Sequence, residues 1–507
     1  MSSFPWLTTL LVVPLVGALI VVLLPKGSAG RAKHVALGVS LVTLVLGIAA
    51  ATQYRRDAGT QFQLTERHEW IPQFGVSYAL GVDGIALVLI LMALVLTPIC
   101  ILAAWDDVPE GGTREKSYFA LMLVLLAFMV GVFAATDVFF FYVLFEAMLI
   151  PVYFLIGSFG GERRQYAALK FLLFSLAGGL VMLVAVIALY HYGPGGSEGF
   201  LVEKLTGLTI PQTAERLMFV GFFLAFAVKA PMWPVHTWLP DAATEAKPAT
   251  AVLLVGVLDK VGTYGMIRFC LQLFPEASKW ATPVVIALAV VSVLYGALLA
   301  IGQTDMMRLI AFTSVSHFGF IVLGIFAMTS TGFAGSSLYM VNHGFSTAAL
   351  FLFAGMFIIR RGSKQIPDFG GWQRITPVLA GVFLVAGLSA LSLPGLSTFV
   401  SEFLVLVGTF QKYTLATVLA VLAIVLAALY VLLMYKRIAT GPTPELPEPV
   451  SDLGIRERLV AAPLIAVLLV LGFAPNLALD VINPAVTATL HHVGVTDPTP
   501  LNAGSDK

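Results

Sequence analysis

Two lysines lie deep inside apolar segments, where a charged side chain needs a partner or a function. Lys229 follows ten nearly unbroken apolar residues and comes just before Pro231 and Pro234, and Lys260 lies within the next apolar segment. A lysine at the centre of a bilayer costs about 2.5–3.5 kcal/mol on insertion scales. Proline breaks a helix, and a membrane tolerates the break only where protein or water satisfies the freed backbone groups. A broken helix beside a buried cation predicts an ion-coupled transport site.

Glu146 is the acidic residue best placed to pair with Lys229. It follows the edge residue Asp137 by nine positions, so a helix carries it about 13 Å deeper, near the middle of the membrane. Opposite charges about 4 Å apart attract by about 4 kcal/mol at an effective dielectric constant near 20, which offsets much of the insertion cost. Moving one partner then releases or captures a proton. The alternative is a protonated carboxyl group that is hydrogen-bonded to a neighbour.

Lys260 has an acidic neighbour in the sequence, Asp259. Adjacent residues on a helix point about 100° apart, so Asp259 is not the expected face-to-face partner of Lys260. The residues on the same face as Lys260 are Gly256 and Tyr264. The alternative for Lys260 is that its side chain extends to a membrane interface, which its position well inside the span disfavours.

The second half of the chain continues this polar series with His317, His343 and Glu402, each in a separate apolar segment. Histidine titrates near neutral pH and is a good proton relay, although a single histidine in a span is as often a packing residue. Glutamate, lysine and histidine are rare inside membranes and tend to mark proton routes. A series of six across six spans therefore predicts proton translocation.

The composition sets the class of protein. Of 507 residues, 59% are hydrophobic and 11% are charged, against about 25% charged in a soluble domain. These values predict a polytopic membrane protein and argue against a soluble enzyme. The net charge of +1 argues against a nucleic-acid binder. Two cysteines cannot supply the four thiolates of an iron–sulfur cluster, and neither a dinucleotide-binding nor an ATP-binding loop motif is found. The driving force for transport is therefore expected to come from elsewhere.

Segments of about 20 apolar residues predict an all-α polytopic membrane protein of about fourteen transmembrane helices. The predicted spans are 4–24, 33–53, 78–104, 115–135, 138–157, 166–191, 215–236, 248–272, 281–301, 306–328, 334–359, 377–408, 414–436 and 457–479. The first is a full span rather than a cleaved signal peptide. The loop 54–77 is expected to form a small extramembrane cap, and the tail from Asp480 carries no convincing further span.

Two of these spans are predicted to be broken helices: 215–236, and 377–408 at Pro394–Gly395. They are five spans apart, and five is odd, so a repeat with this shift has inverted topology. Spans four to eight and nine to thirteen would then be two inverted five-helix repeats. The predicted division places N-terminal helices in 1–114, the repeats in 115–272 and 273–436, and the last helix and tail in 437–507.

The distribution of lysine and arginine predicts the orientation. Eighteen lie in loops on the side opposite the termini and nine on the terminal side, apart from Lys229 and Lys260. Both termini are therefore expected outside a bacterial plasma membrane.

Six strings surround the buried polar residues: FYVLFEAMLIPVYFLIG, KAPMWPVHTWLPDA, GTYGMIRF, DMMRLIAFTSVSHFGF, NHGFSTAALFLFAGM and LSLPGLSTFVSEFLVL. They resemble the antiporter-like subunits of proton-pumping NADH:quinone oxidoreductase, respiratory complex I, and among these they most resemble the M-type subunits, the counterparts of mitochondrial chain 4. The similarity covers roughly residues 80–440.

The resemblance implies a fold of fourteen helices with two inverted repeats, and it implies a role for each buried polar residue. Glu146 and Lys229 match the family's Glu–Lys pair, and Lys260 matches its central lysine. His317 and His343 match the connecting histidines, and Glu402 matches the terminal carboxylate.

The sequence also departs from the family pattern. Ala243 stands where a histidine is usual and Lys247 where a proline is usual, which puts in doubt a proton uptake route through that histidine. Met307 replaces a common lysine. Asp259 replaces an apolar residue beside the central lysine, where it could tune or trap the charge of Lys260.

By this resemblance the chain is expected to translocate protons as a membrane-arm subunit of NADH:quinone oxidoreductase. It would carry no redox cofactor, while FMN, iron–sulfur clusters and quinone would belong to partner subunits. The L- and N-type antiporter-like subunits would be its neighbours. One alternative is a subunit of a multicomponent Na⁺/H⁺ antiporter, and another is a structural spacer, which would have no need of the buried charges.

Overall fold

The computed structural model describes residues 4–25, 27, 30–446 and 449–498. Outside these residues lie Lys26 and the tail from 499 onward. The tail includes Lys507, which, like Lys26, was counted in predicting the orientation. The described part is mainly helical. Its longer helices are Trp6–Leu23, Arg31–Thr52, Gly84–Ala103, Thr113–Ala134, Val138–Phe159, Arg164–Tyr192, Gln212–Lys229, Pro248–Leu271, Pro275–Ile301, Met306–Ala327, Ser330–Arg361, Pro377–Ala390, Ser397–Phe410, Thr414–Ala439, Ile455–Phe473 and Asn476–Val493.

Eleven of the described helices are long and apolar enough to cross a membrane, or twelve if one bent pair counts as a span. The prediction of a polytopic helical membrane fold is therefore confirmed, but the predicted count of fourteen spans is not. The predicted span 377–408 consists of two shorter helices that meet at an irregular turn. In this turn Ser392 has a φ of 61° and Gly395 a φ of 92°. The left-handed backbone at Gly395 suits a residue without a Cβ.

Protein groups supply hydrogen bonds to backbone carbonyls that the break after Lys229 leaves free. The helix Gln212–Lys229 ends at Ala230, just before Pro231. The Met232 amide donates to the Ala227 carbonyl at 3.0 Å, and the Trp238 indole N–H donates to the Val228 carbonyl at 2.9 Å. Carbonyls at the end of a helix lack an intrahelical partner, so these two bonds make the break tolerable in an apolar interior.

A β-hairpin corrects the all-α prediction. Strands Gln63–Ile71 and Val76–Val82 pair antiparallel, so the predicted cap 54–77 is a sheet whose second strand runs into the predicted span 78–104. The helix there begins only at Gly84, because the Asp83 side chain accepts a hydrogen bond from the Ala86 amide and caps it. The predicted span includes residues 78–82 of this strand, because their hydropathy resembles that of a helical span.

The C-terminal tail also forms a helix. The sequence predicts no convincing further span after Asp480, and the structure adds that the tail is partly helical, because the helix Asn476–Val493 continues the chain after a 65° bend. One face of this helix is buried, and the Val481 carbonyl lies so close to Gly84 that a Cβ there would overlap it. An amphipathic helix has too low a mean hydropathy to register as a span, although its buried face packs like one.

The helix that carries Lys260, Pro248–Leu271, lies in the centre of the fold and is buried over residues 249–271. Its turns Val252–Leu258 and Met266–Leu271 are π-helical, a rare form that is frequent at functional sites. Gly262 and Gly265 allow this helix to approach the helix Gln212–Lys229 closely, because a Cβ on either would strike the backbone or ring of that helix.

Candidate functional site

The second half of the candidate site is a contiguous buried series that begins at Lys260. Its Nζ lies 2.7 Å from Nδ1 of His343 and donates to the Val255 carbonyl at 2.7 Å. The ring of Phe318 lies 5.0 Å from the same Nζ. Lys260 and His343 come from different helices and are both fully buried, so this contact joins the central helix to the second half of the chain.

The histidines continue the series. The rings of His343 and His317 are 5.2 Å apart between centroids, and those of His317 and Tyr339 are 5.8 Å apart. The Nε2 atom of His343 and the Nδ1 atom of His317 are buried without a hydrogen-bond partner among the described residues. Each histidine therefore keeps one ring nitrogen free to take or give a proton.

Glu402 closes the series. One of its oxygens, Oε2, accepts hydrogen bonds from the Tyr339 hydroxyl and from the Ser392 hydroxyl, each at 2.7 Å. Tyr339 precedes His343 by four residues, so both project from one face of the helix Ser330–Arg361. Tyr339 was not among the predicted site residues. The four-residue spacing from a predicted histidine is the signal that could have identified it.

Lys229 is fully buried, and its Nζ makes no hydrogen bond to any described residue. The ammonium lies 5.2 Å from the ring centroids of both Phe145 and Phe171. A cation close to an aromatic face gains electrostatic stabilisation of roughly 0.5–2 kcal/mol. Such rings hold a charge without fixing the direction of its protons, which leaves the ammonium free to change partners.

The predicted direct contact between Glu146 and Lys229 is not made in this structure. Among the described residues no ion pair joins them within 4.0 Å, and the Lys229 Nζ has no hydrogen-bond partner. Lys229 lies against aromatic rings instead, and Glu146 is only half-buried, with its Oε1 lacking a hydrogen-bond partner. A Cβ on Gly179 would overlap that Oε1, so the absence of a side chain there makes room for the carboxylate.

A buried ion pair that the sequence analysis missed lies further along the central helix. Arg268 pairs with Asp83 and donates to Gln272 at 2.9 Å and to the Tyr264 hydroxyl at 3.3 Å. Tyr264, which was predicted to share a face with Lys260, donates its own proton to the Phe133 carbonyl at 2.9 Å. An arginine inside a predicted span was the available signal for this network.

A charged cluster lines a cavity of about 360 Å³ at the helix ends. Asp241 pairs there with Lys170 and with Arg308, each at 2.7 Å, and Lys364 lies 3.6 Å from both Glu245 and Asp305. Burial raises the pKa of Asp241, but hydrogen bonds from Arg308 and Lys170 outweigh burial and leave that pKa below its usual value. The chain therefore has a polar opening close to where the family histidine is absent.

No group of three or more histidine, cysteine, aspartate or glutamate side chains that could hold a metal ion occurs among the described residues. The site instead consists of acid–base groups spread over several buried helices. Together with the helical membrane fold, such a series defines an antiporter-like membrane subunit.

Comparison with known proteins gives the same class. Residues 135–427 match the family described as NADH:quinone oxidoreductase/Mrp antiporter, TM. The chain is 49% identical to NADH-quinone oxidoreductase subunit M of Mycobacterium tuberculosis, over 99% of this chain and 96% of that protein. The chain therefore belongs to the M-subunit family of NADH-quinone oxidoreductase. The predicted class of function, a membrane subunit of a proton-translocating oxidoreductase, is confirmed.

Two solved structures share the fold. A chain of respiratory complex I from Thermus thermophilus with bound NADH has a TM-score of 0.86 and 29% identity, covering 96% of this chain and 100% of that one. A chain of the Mrp complex from Dietzia sp. DQ12-45-1b also has a TM-score of 0.86, at 22% identity, over 97% and 100% of the two chains. At that identity the second likeness concerns the fold alone.

Proposed function

We propose that this subunit carries protons through Glu146, Lys229, Lys260, His343, His317 and Glu402, driven by quinone reduction in another part of the complex. The observation that carries the proposal is the 2.7 Å contact between Lys260 Nζ and His343 Nδ1. It joins the buried groups of the two halves of the chain, and acid–base groups at such depth are rare unless they serve transport.

In this scheme the first half of the series loads the central lysine. A change in the electrostatics of the membrane arm moves Glu146 towards or away from Lys229, whose ammonium is held only by aromatic rings. Pairing stabilises the charge on Lys229 and separation favours loss of its proton. The proton then reaches Lys260, and the histidines and Tyr339 conduct it to Glu402.

The number of spans, the inverted repeats and the orientation of the termini belong to the same proposal. Fourteen spans result if three more are counted with the eleven long helices. These are the bent pair Ile455–Phe473 and Asn476–Val493, the pair of shorter helices that ends at Phe410, and the helix Gln212–Lys229. The inverted repeats would occupy 115–272 and 273–436, with both termini outside a bacterial plasma membrane.

The partners in this proposal are the L- and N-type antiporter-like subunits, and FMN, iron–sulfur clusters and quinone belong to other subunits. The partial exposure of Glu146 supports such neighbours, because charges on an adjacent subunit would act on a carboxyl group that is not fully enclosed by its own chain. When bound in their own subunits, those cofactors supply the redox chemistry that drives transport.

The test is NADH-driven proton uptake by inverted membrane vesicles that carry Lys229→Ala. The matched control is Lys279→Ala, which changes a lysine that is partly exposed and paired with Glu276 three residues earlier. We expect the Lys229 variant to assemble and to lose coupled NADH oxidation and proton uptake, while the control keeps both. Normal pumping by Lys229→Ala would show that this lysine carries no protons.

The second candidate function is that of a Na⁺/H⁺ antiporter subunit, which the description of the matching family favours because it covers Mrp antiporters as well as NADH:quinone oxidoreductase. The discriminating measurement is co-purification. An oxidoreductase subunit is expected to purify with flavin and iron–sulfur proteins, and an antiporter subunit to purify without them and to show sodium/proton exchange that Lys229→Ala abolishes. A structural spacer would tolerate that variant in both assays.

A further inference from the structure

Asp259 is a buried carboxylate that the proposed series does not yet use. It has no solvent exposure, and neither Oδ1 nor Oδ2 has a hydrogen-bond partner among the described residues. Burial of a carboxyl group without a hydrogen-bond partner is unfavourable, because nothing replaces the water that the group loses. Such a group in the central helix, directly before Lys260, calls for a function.

The packing of the central helix shows which way Asp259 faces. Gly262 and Gly265 follow it at intervals of three residues, which places the three positions on one side of the helix. That side lies against the helix Gln212–Lys229, because a Cβ on Gly262 would be 2.5 Å from the Ala230 amide nitrogen. Asp259 therefore faces the end of the helix that carries Lys229.

The Lys260 side chain is directed about 100° away from that of Asp259 around the helix. Its Nζ bonds to His343, and Thr263, three residues further on, donates to the sulfur of Met340 at 3.0 Å on the helix that carries His343. The two adjacent residues thus present their charged groups to different halves of the chain. Neighbouring residues on a helix point about 100° apart, so Asp259 is not a face-to-face partner of Lys260. The same angle directs the two side chains towards different halves of the chain.

We infer that Asp259 is a proton-carrying residue that connects Lys229 to Lys260 in this chain. The inference rests on the proposed proton series and adds a member to it. Lys229 and Asp259 are not hydrogen-bonded in this structure, so the first step requires their side chains to move into contact. An N–H bond of the Lys229 ammonium then breaks and an O–H bond forms on Asp259, which leaves Lys229 neutral. In the second step that O–H bond breaks and an N–H bond forms on neutral Lys260. Asp259 returns to the carboxylate, and one proton has moved between the lysines.

The experiment uses the whole complex in inverted vesicles and compares Asp259→Asn with Asp259→Glu. The matched control is Asp57→Asn, at an exposed loop position. We expect Asp259→Asn to lower NADH-driven proton uptake about tenfold or more, as for loss of a general acid–base group. Asp259→Glu should recover most of the activity, because it keeps a carboxyl group, and the control should match the wild type.

A spectroscopic readout separates proton transfer from a fixed charge. The infrared difference spectrum between resting and NADH-treated complex should contain a C=O band from a transiently protonated carboxyl group. Asp259→Asn should remove this band and Asp259→Glu should shift it, while Asp57→Asn leaves it in place. If Asp259→Asn prevents assembly, the shifted band in Asp259→Glu still decides the matter, because that variant keeps the charge.

The outcomes distinguish this inference from the proposed function. Loss of pumping in Lys229→Ala with normal pumping in Asp259→Asn would overturn the role of Asp259 alone. Slow pumping in Asp259→Asn, with a carboxyl band identical to that of the wild type, would also overturn it, because the carboxylate would then be a fixed counter-ion. Normal pumping in Lys229→Ala would overturn the proton series itself.

Discussion

The Lys260 ammonium and the His343 imidazole, on two different helices, are joined at 2.7 Å. Because both are fully buried, neither has water to replace the other. The contact therefore brings together two residues that are 83 positions apart in the sequence. Residues that act as a unit show non-additive effects when they are changed together.

The first prediction is a double-mutant cycle on this pair. Lys260→Ala and His343→Ala should each reduce NADH-driven proton uptake, and the double variant should be about as impaired as the worse single variant, because either change interrupts the same step. The measurement is the initial rate of proton uptake in inverted vesicles, corrected for the amount of assembled complex.

Thr282→Ala provides the control for that cycle, because its hydroxyl is buried but only bonds the Ser278 carbonyl of its own helix. It should leave the rate close to that of the wild type. Strictly multiplicative losses from Lys260 and His343 would mean that the two residues act independently, contrary to their contact.

The second prediction concerns Tyr339 and Glu402. Tyr339→Phe removes one of the two hydroxyl donors to Glu402 and leaves Ser392 in place. A hydrogen bond to a charged group contributes roughly 1.5–3 kcal/mol, so we expect proton uptake to fall by about tenfold while the complex still assembles. Glu402→Gln should fall further, since it removes the titrating group itself. Equal uptake by Tyr339→Phe and wild type would remove Tyr339 from the series.

The members of the series were predictable from the sequence because charged and imidazole side chains are rare in apolar spans. Lys229, Lys260 and His343 stand out by residue type alone. The contacts between them were less predictable, since they depend on the rotation of each helix. The expected contact of Glu146 with Lys229 is absent for this reason: the lysine lies against Phe145 and Phe171.

The two elements that differ from the sequence analysis have different physical causes. The strand Val76–Val82 is apolar and buried at almost every position, so hydropathy alone does not distinguish it from a helix. The helix Asn476–Val493 has only one buried face, and a hydropathy window averages over its faces. The pairing of Arg268 with Asp83 spans 185 positions and arises from packing of the central helix. Only the three-dimensional fold brings such residues together.

The third prediction tests the space that Gly179 leaves for Glu146. Gly179→Ala should displace the Glu146 carboxylate, because the new methyl group would overlap Oε1 and the opposing atoms are the end of a side chain. We expect assembly to persist and proton uptake to fall towards the level of Glu146→Gln. Gly381→Ala is the matched control, since nothing lies within 4 Å of a Cβ at that helical position. Equal losses in the two glycine variants would point to a general effect on helices.

The last prediction concerns Asp241 at the charged cavity. Its folded-state pKa is depressed by Arg308 and Lys170 despite burial, so its ion pairs stabilise the fold above the unfolded pKa of about 3.9 and that stabilisation is lost as the pH falls through the folded value. The thermal midpoint of the purified complex should therefore be lower in Asp241→Asn than in wild type near neutral pH, with a difference that is constant down to about pH 4 and shrinks below it. Asp57→Asn, at an exposed loop position, should follow the wild type throughout. A difference between wild type and Asp241→Asn that stays constant at the acid end would mean that packing, rather than the charge of Asp241, sets its contribution.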